Sequence, residues 1–168
     1  AFANKCDACI APSKHLERML IEDGGLTVPC YVFPNGIDTK RYKKASAADS
    51  PIEKRPGEKF IISVARLSPE KRQRTLIEAM PHIRDKKAKL VLVGGGPYEE
   101  ELRQRVEELD VSDRVIFAGM RSGDEVAAML KQADVFSLAS YHFDNQPMTF
   151  LEAAASGLPI VYCDERMT

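Results

Sequence analysis

Two carboxylates near the end of the chain flank a predicted junction between a loop and a helix, in the segment SYHFDNQPMTFLEAAASGLPIVY (140–162). Asp144 stands beside Asn and Gln, which favours a polar loop, whereas the residues around Glu152 are small or apolar and favour a packed helix. Pro147 suits the first position of that helix, and Gly157 suits its end. Carboxylates on both sides of a helix start can accept hydrogen bonds from the hydroxyl groups of a ligand.

The start of this helix is itself a candidate anion site. The first amides of a helix have no carbonyl partner within it, and the helix dipole places partial positive charge at the same end. The amides near Met148, Thr149 and Phe150 are therefore expected to face a phosphate or carboxylate group of a ligand.

Arg66 and Lys71 form a second candidate anion site, directly after the apolar run FIISVA (60–65). Their spacing predicts Arg66 at the end of a strand and Lys71 in the first turn of the next helix. A cation in a first turn opposes the helix dipole at a cost of about 0.3–1 kcal/mol, which a bound anion would explain. The alternative is a solvated basic cluster, since Arg72 and Arg74 follow.

Apolar runs and helical patterns alternate along the second part of the chain. The runs are continuous rather than broken by polar residues, which is typical of strands covered by helices on both faces. This order predicts an α/β fold with a doubly wound parallel sheet of Rossmann type. Ligands bind beyond the carboxyl ends of such strands, the edge to which Arg66, Lys71, Met120 and Asp144 are expected to belong. The predicted strands are 60–65, 89–94, 114–119, 134–139 and 158–163, and the predicted helices are 69–85, with a break at Pro81, 98–109, 123–132 and 148–156.

Three consecutive glycines, Gly94, Gly95 and Gly96, follow the second of these strands. The dinucleotide pattern G-x-G-x-x-G fails because Glu99 stands where its third Gly belongs, and no G-K-[ST] follows. The segment is either a weak phosphate loop or a tight turn in which a ligand approaches the backbone at Gly95 and Gly96.

Composition excludes several classes of function. The chain has 168 residues, 44% of them hydrophobic, and a net charge of −1, as in an ordinary soluble globular protein. A near-neutral charge and the lack of Trp argue against nucleic acid as a partner. The sequence shows neither a secretory signal pattern nor an apolar run long enough to span a bilayer.

The four cysteines favour a structural role. Cys6 and Cys9 have the C-x-x-C spacing of zinc or redox sites, but no second pair follows at ligand spacing. The run CDACIAPS is better explained as a buried strand, with all four thiols reduced, which suits the cytosol.

A linker is predicted over residues 43–58, KKASAADSPIEKRPGE, because Ile52 is its one large aliphatic residue. It divides the chain into an N-terminal piece, 1–42, and a larger piece, 59–168. In the first piece the pattern predicts a strand at 8–12, a helix capped by Ser13 and a strand at 30–33.

Taken together, the candidate residues describe a site for a sugar nucleotide. Arg66, Lys71 and the helix start would hold its diphosphate, while Asp144 and Glu152 accept from hydroxyls. In the alternative, Asp144 caps or is solvated and Glu152 pairs with an Arg or Lys at the edge of the core. A glycoside hydrolase would also use two carboxylates but would need no such anion site.

Five motifs in order resemble the retaining GT-B glycosyltransferases of family 4: NGID (35–38), VARLSPEK (64–71), LVLVGGGPYEEELR (90–103), VIFAG (115–119) and FDNQPMTFLEAAASGLPIV (143–161). The resemblance implies two Rossmann-like domains. It places 1–42 at the end of an N-terminal acceptor domain and 59–168 in a C-terminally truncated domain that binds the nucleotide sugar.

The resemblance also implies roles for individual residues. Arg66 and Lys71 match the pair that binds the donor diphosphate, and Glu152 matches the glutamate that accepts from the ribose hydroxyls. Asp144 matches a glutamate that contacts the donor sugar, and its shorter side chain is a departure from the family. Amides at Met148, Thr149 and Phe150 match those at the phosphates; Gly95, Gly96 and Met120 lie on the donor side, with Met120 at the base.

The implied reaction transfers a sugar, with retention, from a nucleoside-diphosphate sugar to a lipid or glycan acceptor bound by the missing N-terminal domain. The UDP form is favoured, and Asp144-Asn145-Gln146 is similar to a segment of enzymes that glucosylate diacylglycerol. No metal or other cofactor is expected, since the sequence lacks a D-x-D motif. The expected location is the cytoplasm, or the inner membrane face through peripheral association. The alternative function is a non-catalytic module that binds sugar nucleotides.

Overall fold

The computed structural model describes residues 2–141, 144 and 146–163. His142, Phe143 and Asn145, which belong to the polar loop of the sequence analysis, lie outside the described residues, as does the segment 164–168. The strands are β1 Cys9–Ala11, β2 Cys30–Val32, β3 Lys59–Val64, β4 Ala88–Val93, β5 Val115–Gly119, β6 Val135–Leu138 and β7 Ile160–Tyr162, and the α-helices are α1 Lys14–Glu22, α2 Thr39–Lys44, α3 Gln73–Ala79, α4 Glu99–Glu108, α5 Gly123–Gln132 and α6 Met148–Ala155.

The five later strands form one parallel sheet in the order β5-β4-β3-β6-β7. The chain moves outward from β3 to β5, crosses back through α5, and then moves outward in the other direction from β6 to β7. The strand order therefore reverses between β3 and β6, which is where open α/β sheets bind their ligands. The predicted doubly wound, Rossmann-like sheet is confirmed.

Both faces of this sheet are buried, which explains the continuous apolar runs. Along β4, Leu90 and Leu92 face one side and pack with α3 and α4, whereas Val91 and Val93 face the other. The second side is filled by Phe60, Phe136 and residues of α5 and α6. Burial of each large side chain contributes about 1.5–3 kcal/mol, which makes the sheet a rigid support for its edge.

The helix predicted over 69–85 is interrupted at two positions. Residues Pro69–Lys71 form a separate 3₁₀ turn, and α3 begins only at Gln73, because Arg72 adopts a left-handed conformation with φ 52°. The helix ends at Ala79 and continues as a 3₁₀ turn over Met80–His82, so the predicted break at Pro81 is confirmed.

The N-terminal piece contains a small parallel sheet, in which β1 pairs with β2. Ser13 caps α1 as predicted, and its hydroxyl accepts from the Leu16 amide at 3.1 Å. The prediction of a buried strand at CDACIAPS is wrong, since the strand covers three residues and Ile10 is 69% exposed. Cys6 and Cys163 are also exposed rather than in a core, although all four cysteines are free.

The segment 43–58, which its composition predicted to be a linker, makes specific polar contacts with the rest of the chain. The hydroxyl of Ser50 donates to Gln132 Oε1 at 2.9 Å, and Gln132 Nε2 donates to the Ile52 carbonyl at 3.1 Å. Lys54 forms an ion pair with Asp134. This segment is ordered by polar contacts with the end of α5. Its low content of aliphatic residues gave no sign of these contacts.

No helix among the described residues is long and apolar enough to cross a membrane.

The glycine-rich segment after β4 lies against the backbone that follows β3. The amide of Leu67 donates to the Gly95 carbonyl at 3.1 Å, and the amide of Tyr98 donates to the Leu67 carbonyl at 3.2 Å. A Cβ at Gly96 would lie 2.1 Å from the Leu67 carbonyl oxygen, and one at Gly94 would lie 2.1 Å from that of Ala65. These two glycines therefore allow two loops of the sheet edge to pack directly together.

We expect Gly96→Ala to lower the free energy of unfolding by about 1–3 kcal/mol, because the new methyl group forces two backbone segments apart. Urea unfolding of the chain measures this effect. Gly36→Ala is the matched control, since nothing lies within 4 Å of a Cβ at Gly36. Equal stability of the two variants would contradict the close packing of these loops.

Candidate functional site

The carboxyl edges of β3 and β6 are joined by an ion pair between Lys71 and Asp144. Lys71 follows β3 and Asp144 follows β6, so the pair spans the point at which the strand order reverses. The side chains are 18% and 11% exposed. The other Asp144 oxygen accepts from the hydroxyl of Ser140, which is fully buried. Two of the predicted site residues are thus in direct contact.

The turn that carries Lys71 differs from the predicted one. Lys71 lies in the 3₁₀ turn Pro69–Lys71 and not in the first turn of α3, so the predicted conflict with the helix dipole is wrong. The Gln73 side chain stabilises this turn, because its Nε2 donates to the Arg66 carbonyl at 2.7 Å. The turn brings the ammonium group back over the sheet edge, toward β6.

Arg66 is exposed and lies at the rim of a cavity of about 440 Å³. The cavity opens over the ends of β3, β4 and β5, beside the switch point. Met120 is 78% exposed there, and a Cβ on Gly95 would lie 3.2 Å from its Cγ. The cavity is lined by Val64, Ala65, Arg66, Val93, Gly94, Gly95, Met120, Arg121 and Val126.

Gly95 and Gly96 occupy different surroundings. Gly95 lines this cavity. Gly96 packs against Leu67, so the close approach that it allows is one between two segments of the protein.

The first turn of α6 offers fewer amides than predicted. Pro147 is the residue that precedes the helix, and Met148 is its first residue. The Phe150 amide already donates to the Pro147 carbonyl at 3.1 Å, while the Phe150 ring packs edge-on against Tyr162, with 5.5 Å between centroids. The amides of Met148 and Thr149 lie at the end of the helix that carries positive partial charge. Ala153 is fully buried and seats the helix on the sheet.

Glu152 has a neighbour that the sequence did not indicate. The Tyr42 side chain, on α2, lies close to the Glu152 carboxylate. Burial, and then this contact, raise the pKa of Tyr42 to about 12. Tyr42 is the one aromatic residue of the basic helix TKRYKK, a pattern that indicates a side chain turned inward.

The same N-terminal segment also contacts the loop before α6. The Asn35 amide donates to Gln146 Oε1 at 2.6 Å, and Asn35 Nδ2 donates to the Gln146 carbonyl at 3.2 Å. Residues 35–42 therefore contact both the approach to α6 and its second turn.

Within the part of the chain that the structure describes, no group of three or more His, Cys, Asp or Glu side chains is placed to hold a metal ion.

The strand order defines a Rossmann-type domain, and the solved structures to which the chain is similar are GT-B glycosyltransferases. The family model for "Glycosyl transferases group 1" matches residues 46–168, so the chain belongs to that family.

Named relatives and solved structures agree with this family. The chain is 32% identical over 169 aligned positions to alpha-monoglucosyldiacylglycerol synthase of Streptococcus pneumoniae, covering 95% of this chain and 38% of that protein. It is 39% identical over 139 positions to the GDP-mannose-dependent alpha-(1-6)-phosphatidylinositol monomannoside mannosyltransferase of Mycobacterium tuberculosis, covering 76% and 36%. Anabaena HepE in complex with UDP and glucose superposes with a TM-score of 0.85 at 26% identity, covering 95% and 45%. The chain spans less than half the length of each.

We expect the stability of the chain to fall between about pH 10 and pH 12 in a manner that depends on Tyr42. An unfolded tyrosine loses its proton near pH 10, whereas the raised pKa in the fold keeps Tyr42 protonated to about pH 12. Over that range the unfolded state binds fewer protons, so the free energy of unfolding decreases as the pH rises, by about 2–3 kcal/mol in total.

Urea unfolding at several pH values compares wild type with Tyr42→Phe and with the control Tyr31→Phe, which removes a half-exposed hydroxyl. In Tyr42→Phe the free energy of unfolding should decrease less with rising pH than in wild type, and in Tyr31→Phe it should decrease as in wild type. An unchanged decline in Tyr42→Phe would contradict the raised pKa.

Proposed function

We propose that the chain is the donor-binding part of a glycosyltransferase that takes a sugar from a nucleoside-diphosphate sugar. The observation that carries the proposal is the ion pair between Lys71 and Asp144 across the switch point. It brings two separate candidate motifs, 73 residues apart, to the one position where a sheet of this order binds ligands.

In this proposal the diphosphate lies between the cations that follow β3 and the start of α6. Lys71 and Arg66 supply charge-assisted hydrogen bonds, and the amides of Met148 and Thr149 supply bonds from the other side. The base enters the cavity beside Gly95 and Met120, whose exposed and largely apolar surroundings suit a flat ring. Glu152 accepts from the ribose hydroxyls.

The proposed transfer proceeds with retention. Negative charge grows on the diphosphate as its bond to the sugar breaks, and fixed cations and amides lower the energy of that state by several kcal/mol. The acceptor oxygen forms the new bond to the sugar, and its proton passes to the departing phosphate. The protein supplies charge stabilisation and orientation, and we propose that no metal takes part.

Asp144 has a role toward Lys71 as well as toward the sugar. Its two oxygens accept from Lys71 and Ser140, which orients the ammonium group at the sheet edge. A glutamate would extend one methylene further into the site. We propose that Asp144 contacts the donor sugar from this position beside Lys71.

The relatives bear on the donor and the acceptor. HepE was solved with UDP and glucose, whereas the mycobacterial enzyme is named as GDP-mannose-dependent. The names of both relatives reported above contain a lipid, a diacylglycerol in one and a phosphatidylinositol in the other, which supports a lipid as acceptor here. We propose UDP-sugar as the donor form, a lipid or glycan as the acceptor, and a cytoplasmic site of action with peripheral contact to the inner membrane face. Because the chain belongs to the glycosyl transferase family and the mycobacterial relative is named as a mannosyltransferase, a non-catalytic module is not favoured.

Calorimetric titration of the chain with UDP-glucose, GDP-mannose and ADP-glucose tests the donor assignment. We expect one of them to bind, and Lys71→Ala to weaken that binding by about 10- to 100-fold, the effect of one hydrogen bond to a charged group. A hydrolase or an unrelated fold would ignore all three.

Lys86→Ala is the matched control, because Lys86 is an exposed lysine before β4, at the opposite edge of the sheet. Its affinity should equal that of wild type. The proposed function would be contradicted if none of the three nucleotide sugars bound, or if the two variants lost the same amount of affinity.

A further inference from the structure

Asn35 is a polar residue of the N-terminal piece that makes two hydrogen bonds to the approach to α6. Its backbone amide donates to Gln146 Oε1 at 2.6 Å, and its Nδ2 donates to the Gln146 carbonyl at 3.2 Å. The two residues are 111 positions apart in the sequence. Asn35 therefore holds both the side chain and the backbone of Gln146, and the proposed reaction gives this contact no role.

The segment that carries Asn35 is anchored on both sides. Before it, the Phe33 amide donates to the Ala11 carbonyl at 2.9 Å, which continues the pairing of β2 with β1. After it, Asp38 caps α2, and its Oδ1 accepts from the Lys40 amide at 2.9 Å. Because the chain is fixed before and after Asn35, this residue can serve as a firm support for the contact with Gln146.

α2 is in turn fixed to the larger piece of the chain. Its Tyr42 side chain is 4% exposed and belongs to the same core cluster as Ala153 of α6 and Val126 of α5. The support that Asn35 provides is therefore part of the structure that also carries α6.

The Gln146 carbonyl is close in the backbone to the amides that we propose bind the phosphate. Between this carbonyl and the Met148 amide stands only Pro147, whose φ is −68°. The peptide bonds are planar and the proline ring locks φ, so ψ of Pro147 is the one soft torsion between the two groups. A hydrogen bond that holds the Gln146 carbonyl thus restrains the direction of the Met148 amide.

We infer that Asn35 is a positioning residue of the donor site, which holds the start of α6 so that the Met148 and Thr149 amides face the distal phosphate of the nucleotide. This inference rests on the proposed function, because it assigns those amides to the diphosphate. Asn35 lies before residue 46, outside the span that the family model matches.

A restrained helix start binds a phosphate better than a mobile one. Ordering a loop on binding costs conformational entropy that the ligand must otherwise supply. In this chain Asp144 is held by Lys71 and Ser140, and Gln146 is held by Asn35. Two positions of the segment between β6 and α6 are thus restrained before a ligand arrives.

The test compares UDP with UMP, which lacks the distal phosphate, by calorimetric titration of the 168-residue chain. For Asn35→Ala we expect the affinity for UDP to fall about three- to tenfold, the effect of one neutral hydrogen bond, and the affinity for UMP to stay within about twofold of wild type. GDP and GMP replace this pair if the chain prefers guanine.

Asn4→Ala is the matched control, because Asn4 makes the same kind of contact elsewhere in the N-terminal piece. Its Nδ2 donates to the Gly25 carbonyl at 2.9 Å, and its Oδ1 accepts from the Thr27 amide at 2.9 Å. This variant should bind both nucleotides as wild type does. Equal losses for UDP and UMP in Asn35→Ala would show a general structural effect and would overturn the inference, as would unchanged binding of UDP.

A second variant, Gln146→Ala, tests the same contact from the other side. It removes the acceptor of the Asn35 amide and should also weaken binding of UDP more than that of UMP. In the double variant the loss should be smaller than the product of the two single losses, because both bonds hold one segment. Independent losses would contradict the inference. A wild-type chain that binds neither UDP nor GDP would instead refute the proposed function itself.

Discussion

The contact between Lys71 and Asp144 is the interaction on which the site depends. Opposite charges held with little exposure attract strongly, but each would be costly to bury alone. The fold satisfies both by placing them at the ends of β3 and β6, where the strand order reverses. The hydroxyl of Ser140 donates a hydrogen bond to the second carboxylate oxygen of Asp144. The pair thus holds the ammonium group at the edge where a phosphate group can approach it.

Much of this fold follows from the sequence because its signals are local and periodic. Continuous apolar runs such as those around Ile62 and Val91 indicate strands buried on both faces, and the helices between them require parallel crossovers. The rule that ligands bind at the carboxyl edge then brings Arg66, Lys71 and Asp144 to one side. The observed strand order narrows the predicted ligand position from a whole edge of the sheet to the crevice between β3 and β6.

Other features lay beyond the sequence because they depend on contacts between distant segments. The left-handed conformation of Arg72, which separates Lys71 from α3, is rare for a residue other than glycine, so the residue type did not indicate it. The order in 43–58 arises from Gln132 and Asp134, which lie 82 and 80 residues after their partners Ser50 and Lys54. The proximity of Tyr42 to Glu152 likewise becomes evident only after α2 has been placed against α6.

The N-terminal piece contacts the region that we propose binds the donor. Asn35 and Tyr42 precede the segment matched by the family model, yet both contact the loop and helix that carry Gln146 and Glu152. A boundary drawn at the linker would therefore separate residues that act on the same helix. These contacts connect the N-terminal piece directly to α6 and to the residues before it.

We propose that a single diphosphate lies between Lys71 and the start of α6, and a crystal structure of the chain with bound UDP shows whether it does. We expect the distal phosphate within hydrogen-bond distance of Lys71 Nζ and of the Met148 or Thr149 amide, with the ribose at Glu152. A nucleotide bound away from this edge, with the Lys71 and Asp144 side chains not contacting it, would refute the proposed site.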